Sequence, residues 1–328
     1  MRILITGIAG LLGAHLHRHL LNKGHTIIGI DDLSGGYIEF LSDRLDNLVF
    51  YQSRLGEDDI SHIFETHKPD VVYHLAAYAA EGLSPFVRCY NYKNNVIASA
   101  AIVNECIKHN CKLIYTSSMA VYGNQPAPYT EDMDPKPVDP YGTAKYAVEL
   151  DIKQANDLFG MRYTIIRPHN VLGVYQNIWD RYRNVIGIFI RKVLNKEPLL
   201  VYGDGEQTRA FSDVQFYMEP FEKLIDAHDG ETFNIGADKH WTINHVAELV
   251  QRVAISRGHA CGILHGEPRH EVKHAYCDHA KAKSMLGFED KTDLEQLVQS
   301  MFVWAEQEPK RKVKTMQYEI DKNIYSYW

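Results

Sequence analysis

Short apolar segments alternate with helical patterns along the first half of the chain, and this alternation constrains the fold more than any other feature. The sequence predicts strands at 3–6, 26–30, 48–51, 71–75, 112–117 and 163–167. It predicts helices between them at 11–21, 60–67, 95–109 and 141–159. Because parallel strands need crossover helices, the pattern predicts an α/β fold with a doubly wound parallel sheet.

The pattern loosens after Pro168. Helices are predicted at 186–194, 218–227, 243–255 and 293–307, with short strands at 199–202, 211–214 and 232–235. The length of 328 residues is enough for two packed domains. The second half is therefore expected to form a smaller unit that holds a substrate.

Charge and cysteine content exclude several classes of protein. The 35 Lys and Arg residues against 42 Asp and Glu residues give a net charge of −7, which argues against nucleic acid or an anionic membrane as the main partner. No run of residues approaches the roughly 18 apolar positions of a membrane helix, and the first residues lack signal-peptide features. Five widely spaced cysteines without a Cys-x-x-Cys pair indicate free thiols in a reducing cytoplasm.

A glycine-rich turn follows the first predicted strand and opens the first helix. Gly7, Gly10 and Gly13 would let the backbone approach a pyrophosphate at a helix N-terminus, although a structural tight turn would use the same glycines. The second strand ends at Asp31-Asp32, where a carboxylate could accept hydrogen bonds from the adenosine ribose and repel a 2′-phosphate. No arginine stands at 31–36, so NAD is favoured over NADP; Asp32 could also cap a turn.

A tyrosine and a lysine stand four residues apart on the helix predicted at 141–159. Tyr141 and Lys145 share one helix face, and a neighbouring ammonium is expected to lower the pKa of the phenol. Ser117-Ser118 ends the preceding strand, where a hydroxyl could reach the same substrate oxygen. Tyr141 is therefore a candidate general acid–base, although the pair alone could also be an exposed helix face.

These features recur together in one known family. The chain resembles, over nearly its whole length, the extended short-chain dehydrogenases/reductases, in particular the NAD-dependent nucleotide-sugar epimerases and dehydratases. The matching motifs, in order, are Thr6-Gly7-x-x-Gly10-x-x-Gly13, Asp31-Asp32-Leu33-Ser34, His74-Leu75-Ala76-Ala77, Asn94-Asn95-Val96, Ser117-Ser118-x-x-Val121-Tyr122-Gly123, Tyr141-x-x-x-Lys145, Arg167-Pro168-x-Asn170-Val171-x-Gly173, Gly203-Asp204-Gly205-x-x-x-Arg209 and Asn234-Ile235-Gly236.

The resemblance implies a Rossmann domain of six or seven strands over 1–168, to which 213–238 returns, and a smaller C-terminal α/β sugar-nucleotide domain over 169–328. It implies homodimers built from the helices at 95–109 and 141–159. It also implies a catalytic set of Ser118, Tyr141 and Lys145. A sugar nucleotide would be held by Ser118, Asn170, Arg209 and Arg269. NAD would be held by Gly7, Gly10, Leu11, Leu12, Gly13, Asp31, Asp32, Leu75, Ala76, Ala77, Asn95, Ser117, Tyr141, Lys145 and Pro168.

The chain departs from the family pattern in three places. Ser53 stands where the family usually has an aspartate near the adenine, and the segment from Arg209 to Phe216 lacks both acids of the common R-D-F-x-x-V-x-D motif. The acid expected after Arg269 is a displaced Glu271. These departures leave the adenine contacts and the substrate details open.

The reaction is inferred from the residues that follow Ser118. Family 4,6-dehydratases and decarboxylases carry carboxylates there, whereas this chain has Met119 and Ala120, which cannot transfer protons. A 4-epimerase needs no further acid, so transient oxidation at C4 and hydride return on the opposite face is favoured. A dehydratase that uses Glu81, a C4 dehydrogenase and a non-enzymatic NAD-binding sensor remain alternatives.

The substrate stays open between a UDP-hexose and a UDP-hexuronate. Arg88 or an arginine of the segment Asp180-Arg181-Tyr182-Arg183 could bind a uronate carboxylate, although surface arginines are the commoner case. His169 lies beside the expected site without an assigned role. Three histidines between 15 and 19 resemble a metal cluster, but no further ligand stands at a suitable spacing, so no metal is predicted.

Overall fold

A computed structural model describes residues 1–41, 46–269 and 271–325. The strands, in chain order, are β1 (Arg2–Thr6), β2 (Thr26–Asp31), β3 (Leu48–Gln52), β4 (Val71–His74), β5 (Lys112–Thr116), β6 (Tyr163–Pro168), β7 (Val171–Leu172), β8 (Leu199–Tyr202), β9 (Thr208–Ala210), β10 (Ser212–Asp213), β11 (Thr232–Ile235), β12 (His240–Thr242), β13 (Ile263–Gly266) and β14 (His274–Ala275). The α-helices are α1 (Leu11–Asn22), α2 (Ser61–His67), α3 (Arg88–Tyr92), α4 (Ala98–His109), α5 (Pro140–Phe159), α6 (Val185–Leu194), α7 (Met218–Lys223), α8 (Ile243–Ser256), α9 (Ala280–Leu286) and α10 (Leu294–Gln307).

A seven-stranded parallel sheet is the centre of the fold. Its strand order is β11-β6-β5-β4-β1-β2-β3, and each neighbouring pair is parallel. The six strands predicted in the first half all lie in this sheet, which confirms the Rossmann-type fold class. The order reverses between β1 and β4, and ligands of such folds bind where the strand order reverses.

Helices cover both faces of this sheet because its strands are apolar on both sides. Ile3 and Ile5 of β1 pack in one buried cluster with Leu16 of α1. Leu4, between them, points the other way and packs with Ile102 of α4. This alternation follows from the two-residue period of a strand. The two layers of helices hold the carboxyl ends of the strands in fixed positions.

A second hydrophobic cluster lies in the later part of the chain. Ile190 of α6, Val250 of α8 and Phe302 of α10 are fully buried in it. Around it lie a pair of parallel strands, β8 and β13, and a three-stranded sheet with β9 between β12 and β14. This smaller α/β unit lies against the cavity described below, in keeping with the predicted C-terminal α/β unit.

The predicted elements differ from the structure where short strands meet. The strand predicted at 211–214 is present but shorter, as β10 over Ser212–Asp213, which pairs with β7. A separate strand that was not predicted, β9, precedes it and pairs with β12 and β14. The helix predicted at 95–109 begins earlier and contains a π-helical turn over Lys93–Ile97. The strand difference arises from pairing between segments that are distant in sequence.

All five cysteines are free thiols, as predicted, and burial raises the pKa of the Cys111 thiol to about 11, which leaves it unreactive. Within the described ranges, no helix is both long and apolar enough to cross a bilayer.

The segment that follows α10, residues 308–325, crosses the molecule as a strap, here called the C-terminal strap. The Lys314 amide donates to the Trp179 carbonyl at 2.8 Å, and the Lys314 ammonium donates to the Ser34 carbonyl at 2.6 Å. Further along, a Glu319 carboxylate oxygen accepts from the Cys89 amide at 2.7 Å. The strap therefore joins the smaller unit to the loop after β2 and to the start of α3.

Candidate active site

The carboxyl ends of the central strands open into a cavity of about 440 Å³. A second cavity of about 490 Å³ shares Asn170, Tyr182 and Asn184 with the first and contains Arg209 and Arg269. The two cavities therefore form one continuous cleft. The predicted residues that line the first cavity are Gly7, Gly10, Leu11, Leu12, Gly13, Asp31, Asp32, Leu75, Ala76, Ala77, Ser117, Ser118, Tyr141, Lys145, Pro168 and Asn170.

The turn between β1 and α1 leaves no room for a side chain at Gly7 or Gly13. Gly7 has a φ of +69°, and a Cβ there would lie 2.8 Å from the Ala76 nitrogen. A Cβ on Gly13 would lie 2.3 Å from the Gly7 carbonyl oxygen. Gly10 precedes α1 without a side-chain cap, so the first amides of the helix open toward the cavity. Such a turn is suited to bind a phosphate on backbone amides.

Acidic residues close the other side of this turn. The Asp31 carboxylate accepts from the Ala9 amide at 2.9 Å and from the Leu33 amide at 2.8 Å, so it also caps a turn, which the sequence analysis assigned to Asp32 alone. Asp32 accepts from the Ser34 amide at 2.8 Å. Burial raises the pKa of Asp31, while its carboxylate still borders the cavity.

An arginine approaches Asp32 from another strand. The Arg54 Nε lies 3.3 Å from the Asp32 carboxylate, and both residues border the cavity, as does Ser53. The preference for NAD over NADP was predicted from the absence of arginine at 31–36. That segment is only one part of the cavity rim, because Arg54, which follows β3, also borders the cavity. Asp32 neutralises this guanidinium.

The predicted catalytic side chains meet at the ends of β5 and α5. The Asp139 carboxylate caps α5 by accepting from the Gly142 amide at 2.9 Å, which fixes Tyr141 in the first turn. The Lys145 ammonium donates to the Thr116 carbonyl at 2.8 Å. Ser118 follows β5 and accepts from the Ala120 amide at 3.1 Å. The three side chains border the same cavity.

The pKa of the phenol differs from the sequence-based expectation. Burial raises the pKa of Tyr141, and a hydrogen bond with Ser118 opposes that rise in part. The Lys145 ammonium lies 5.9 Å from the centre of the Tyr141 ring, and burial lowers the pKa of Lys145 to about 7. The predicted lowering of the phenol pKa by Lys145 is therefore wrong for the protein alone, because burial of the phenol dominates.

A buried ion pair that was not predicted from the sequence lies directly behind these residues. The Arg167 guanidinium and the Glu149 carboxylate form two hydrogen bonds, of 2.6 and 2.9 Å. Glu149 also accepts from the Ser117 hydroxyl at 2.5 Å, and Arg167 donates to the Tyr122 hydroxyl at 2.8 Å. The pair ties α5 to β5 and β6, which carry the predicted catalytic residues.

Three of the four residues expected to hold a sugar nucleotide line the second cavity: Asn170, Arg209 and Arg269. The fourth, Ser118, lines the first cavity. Arg209 forms an ion pair of 2.9 Å with Glu271, so the displaced acid of the sequence motif still faces an arginine. The Arg269 guanidinium lies 3.6 Å from the centre of the Tyr202 ring. The Asn170 amide donates to the Ala210 carbonyl at 2.9 Å. Two arginines thus border this part of the cleft, and the guanidinium group of each contacts another side chain.

Several other residues singled out from the sequence occupy different places. Asn95 does not line either cavity; its side chain bonds both backbone groups of Tyr78 at 3.2 Å and so holds the loop after β4. Arg88 is exposed and lies outside both cavities, which removes it as a uronate ligand. Arg183 and Glu81 line the first cavity. Arg183 forms an ion pair of 3.0 Å with Asp180.

Buried histidines lie beside and behind the cleft. His169 borders the first cavity and stacks on His279 at 5.0 Å between ring centres; burial lowers the pKa of His169 to about 3.

On α1, the half-buried His19 approaches Glu219 and Glu222 of α7. Sequence spacing could not show this group, because the two helices are distant in the chain. Lys23 pairs with the same two carboxylates, at 3.7 and 3.1 Å.

Comparison with known proteins gives a consistent match. A sequence model of the NAD dependent epimerase/dehydratase family matches residues 3–236. The chain is 29% identical to a UDP-glucose 4-epimerase of Halalkalibacterium halodurans, covering 94% of this chain and 97% of that protein. It also resembles the crystal structure of a UDP-glucose 4-epimerase of Thermotoga maritima with UDP-glucose, with 31% identity, a TM-score of 0.86 and coverage of 94% and 99%. A UDP-N-acetylglucosamine 4-epimerase of Methanobrevibacter ruminantium gives 29% identity, a TM-score of 0.84 and coverage of 93% and 98%.

Proposed function

The chain belongs to the NAD-dependent epimerase/dehydratase family, and on that basis we propose that it inverts the C4 hydroxyl of a UDP-hexose. It is an NAD-dependent nucleotide-sugar epimerase; the position, the sugar and the residue roles are our proposal. One observation carries it: Ser118, Tyr141 and Lys145 border the same cavity as the glycine turn, and the two arginines border the cavity continuous with it.

The first cavity fits the cofactor of the family. The space that a Cβ on Gly7 or Gly13 would fill is closed, so backbone amides are the groups offered to a pyrophosphate. Asp31 offers a carboxylate to the ribose hydroxyls at the end of β2. When bound, NAD⁺ would supply a reversible hydride acceptor for the sugar carbon.

We assign proton transfer to the Tyr141 hydroxyl. It would take the proton from the sugar hydroxyl that becomes a carbonyl, and return it when that oxygen is reduced again. Ser118 shares a hydrogen bond with this phenol and would orient the same substrate oxygen. Lys145 donates to the Thr116 carbonyl at 2.8 Å, which would hold its ammonium near the Tyr141 ring.

The residues after Ser118 support epimerisation over elimination. Met119 borders the cavity with an apolar side chain, and Ala120 is buried. Neither can protonate a leaving C6 hydroxyl or remove the C5 proton, which a 4,6-dehydratase requires. The sugar would therefore turn within the cleft while the diphosphate stays bound to Arg209 and Arg269, whose guanidinium groups suit phosphate oxygens.

Product analysis tests the reaction directly. Purified protein supplied with NAD⁺ and UDP-glucose should give a mixture of the two C4 epimers, UDP-glucose and UDP-galactose, which NMR distinguishes. No net oxidation of the sugar is expected, because the hydride returns to it. Accumulation of a 4-keto-6-deoxy sugar would instead establish a dehydratase, and stoichiometric NADH would establish a dehydrogenase.

The outer faces of the central helices support a homodimer as a further part of this proposal. Leu150 and Leu158 of α5 are 43% and 73% exposed, and Ile97 beside α4 is 52% exposed. Burial of these side chains against a second copy would remove apolar surface from water. We expect light scattering to give twice the monomer mass, and Leu150→Glu to shift the protein toward monomer. A wild-type monomer at micromolar concentration would contradict this assembly.

A further inference from the structure

Glu81 places a carboxylate inside the catalytic cavity, on the loop after β4. It begins a short 3₁₀ helix over Glu81–Phe86 and borders the same cavity as Ser118 and Tyr141. Within the described ranges, no hydrogen bond or ion pair joins its carboxylate to another residue. The side chain is reached by solvent through the open cleft. Its oxygens are therefore available to a ligand.

Two hydrogen bonds fix this residue beside the phenol. The Ser84 hydroxyl donates to the Glu81 carbonyl at 2.8 Å and accepts from the Tyr141 amide at 3.1 Å. Glu81 is thus joined through one side chain to the start of α5. The charge of Glu81 acts on the Tyr141 phenol. Glu81 and Tyr141 therefore border one cavity, in which the sugar would lie under the proposed function.

The charges around Glu81 are mostly negative. Asp139 at the start of α5, Glu271 before β14 and Arg209 of β9 are the charged groups that act on it. Arg209 is already paired with Glu271 at 2.9 Å. Surrounding protein and then Asp139 raise the pKa of Glu81 to about 7. A further carboxylate brought to this place by a substrate would meet the like charges of Glu81 and Asp139.

We propose that Glu81 makes the enzyme select neutral hexoses and reject hexuronates at the sugar subsite. Hydroxyl groups of a neutral hexose can donate hydrogen bonds to the Glu81 carboxylate, whereas a uronate carboxylate cannot donate and is repelled. Of the arginines that could favour a uronate, Arg88 lies outside both cavities and Arg181 lines the second cavity rather than the first. Arg183 borders the first cavity, where it is paired with Asp180 at 3.0 Å. The inference rests on the proposed function and specifies its substrate class.

Kinetics with two substrates test the selection. At pH 8 we expect wild-type kcat/KM for UDP-glucose to exceed that for UDP-glucuronate by more than tenfold. Glu81→Gln keeps the shape and removes the charge, so this ratio should fall at least tenfold, equivalent to about 1.4 kcal/mol. Glu289→Gln, which removes the same charge at a position 71% exposed outside the cleft, should leave the ratio unchanged.

The pH dependence provides a second measurement. Because the pKa of Glu81 is about 7, wild-type discrimination should weaken from pH 8 to pH 6, while that of Glu81→Gln stays constant. The raised pKa also costs stability as pH rises from about 4.5 through 7, since the ionised form is less favourable in the folded protein. Glu81→Gln should therefore unfold at a higher temperature than wild type at pH 8 and at the same temperature near pH 4.

The outcomes separate this inference from the proposed function. Equal turnover of UDP-glucose and UDP-glucuronate by the wild type would overturn the inference and leave epimerisation intact. If neither is turned over, titration calorimetry with both compounds decides. Tighter binding of UDP-glucose that is lost in Glu81→Gln supports the inference, and equal binding overturns it. Absence of binding of either compound overturns both.

Discussion

Tyr141→Phe is expected to lower kcat for UDP-sugar epimerisation by about 10²- to 10⁴-fold, the usual contribution of a positioned acid–base. The substitution removes one hydroxyl and keeps the ring, which is buried. Binding of NAD and UDP-glucose, measured by calorimetry, should change by less than threefold, since the phosphate and ribose contacts lie elsewhere. Stopped turnover with retained binding would identify a loss in the chemical step.

A second tyrosine on the same helix provides the control. Tyr146 is half-buried, packs in a separate cluster and does not line the first cavity. Tyr146→Phe should keep turnover within twofold of wild type. If Tyr141→Phe keeps comparable turnover, the proton is transferred by another group, and the role assigned to Tyr141 is wrong.

Arg167→Met is expected to lower the free energy of unfolding by about 3–5 kcal/mol, because it leaves a buried carboxylate without its counterion. The Arg167 and Glu149 side chains are 3% and 0% exposed, so water cannot compensate. Urea unfolding followed by circular dichroism measures the change. Glu149 also raises the pKa of Lys145 against its burial, so Glu149→Gln should destabilise the protein and weaken the lysine charge together.

Two comparisons establish whether burial causes this effect. Replacing both Glu149 and Arg167 by methionine should cost less than either single change, because no unpaired charge remains. The exposed pair of Arg2 and Asp70, 3.7 Å apart, should contribute less than about 1 kcal/mol, measured with Arg2→Met. A loss below 1 kcal/mol in Arg167→Met would show that the buried pair does not hold the site together.

Predictions from the sequence succeeded where a signal is local. The apolar runs of the central strands and the spacing of Gly7, Gly10 and Gly13 each lie within one short segment, so the sheet and the turn could be predicted. Tyr141, Lys145 and Glu149 recur every four residues on one helix. That spacing puts Glu149 on the same helix face as Tyr141 and Lys145, so the position of its carboxylate could have been predicted. Its partner, Arg167, could not be predicted from the spacing.

Other parts of the cleft depend on contacts between distant segments. Arg54 meets Asp32 over a separation of 22 residues, and Arg209 meets Glu271 over 62. The pKa of Tyr141 depends on how deeply the whole fold buries it, which neighbouring residues do not determine. No local pattern contains these relations, because tertiary packing creates them.

The C-terminal strap affects the order in which the cleft is completed. The Lys314 ammonium and the Ser34 carbonyl that it binds are 280 residues apart. During synthesis the central sheet can form while residues 308–325 are still inside the ribosome, since domains fold as their residues emerge. At that stage the loop after β2 lacks the hydrogen bond from Lys314. Because this loop borders the first cavity, that cavity would reach its final form only after the strap has left the ribosome.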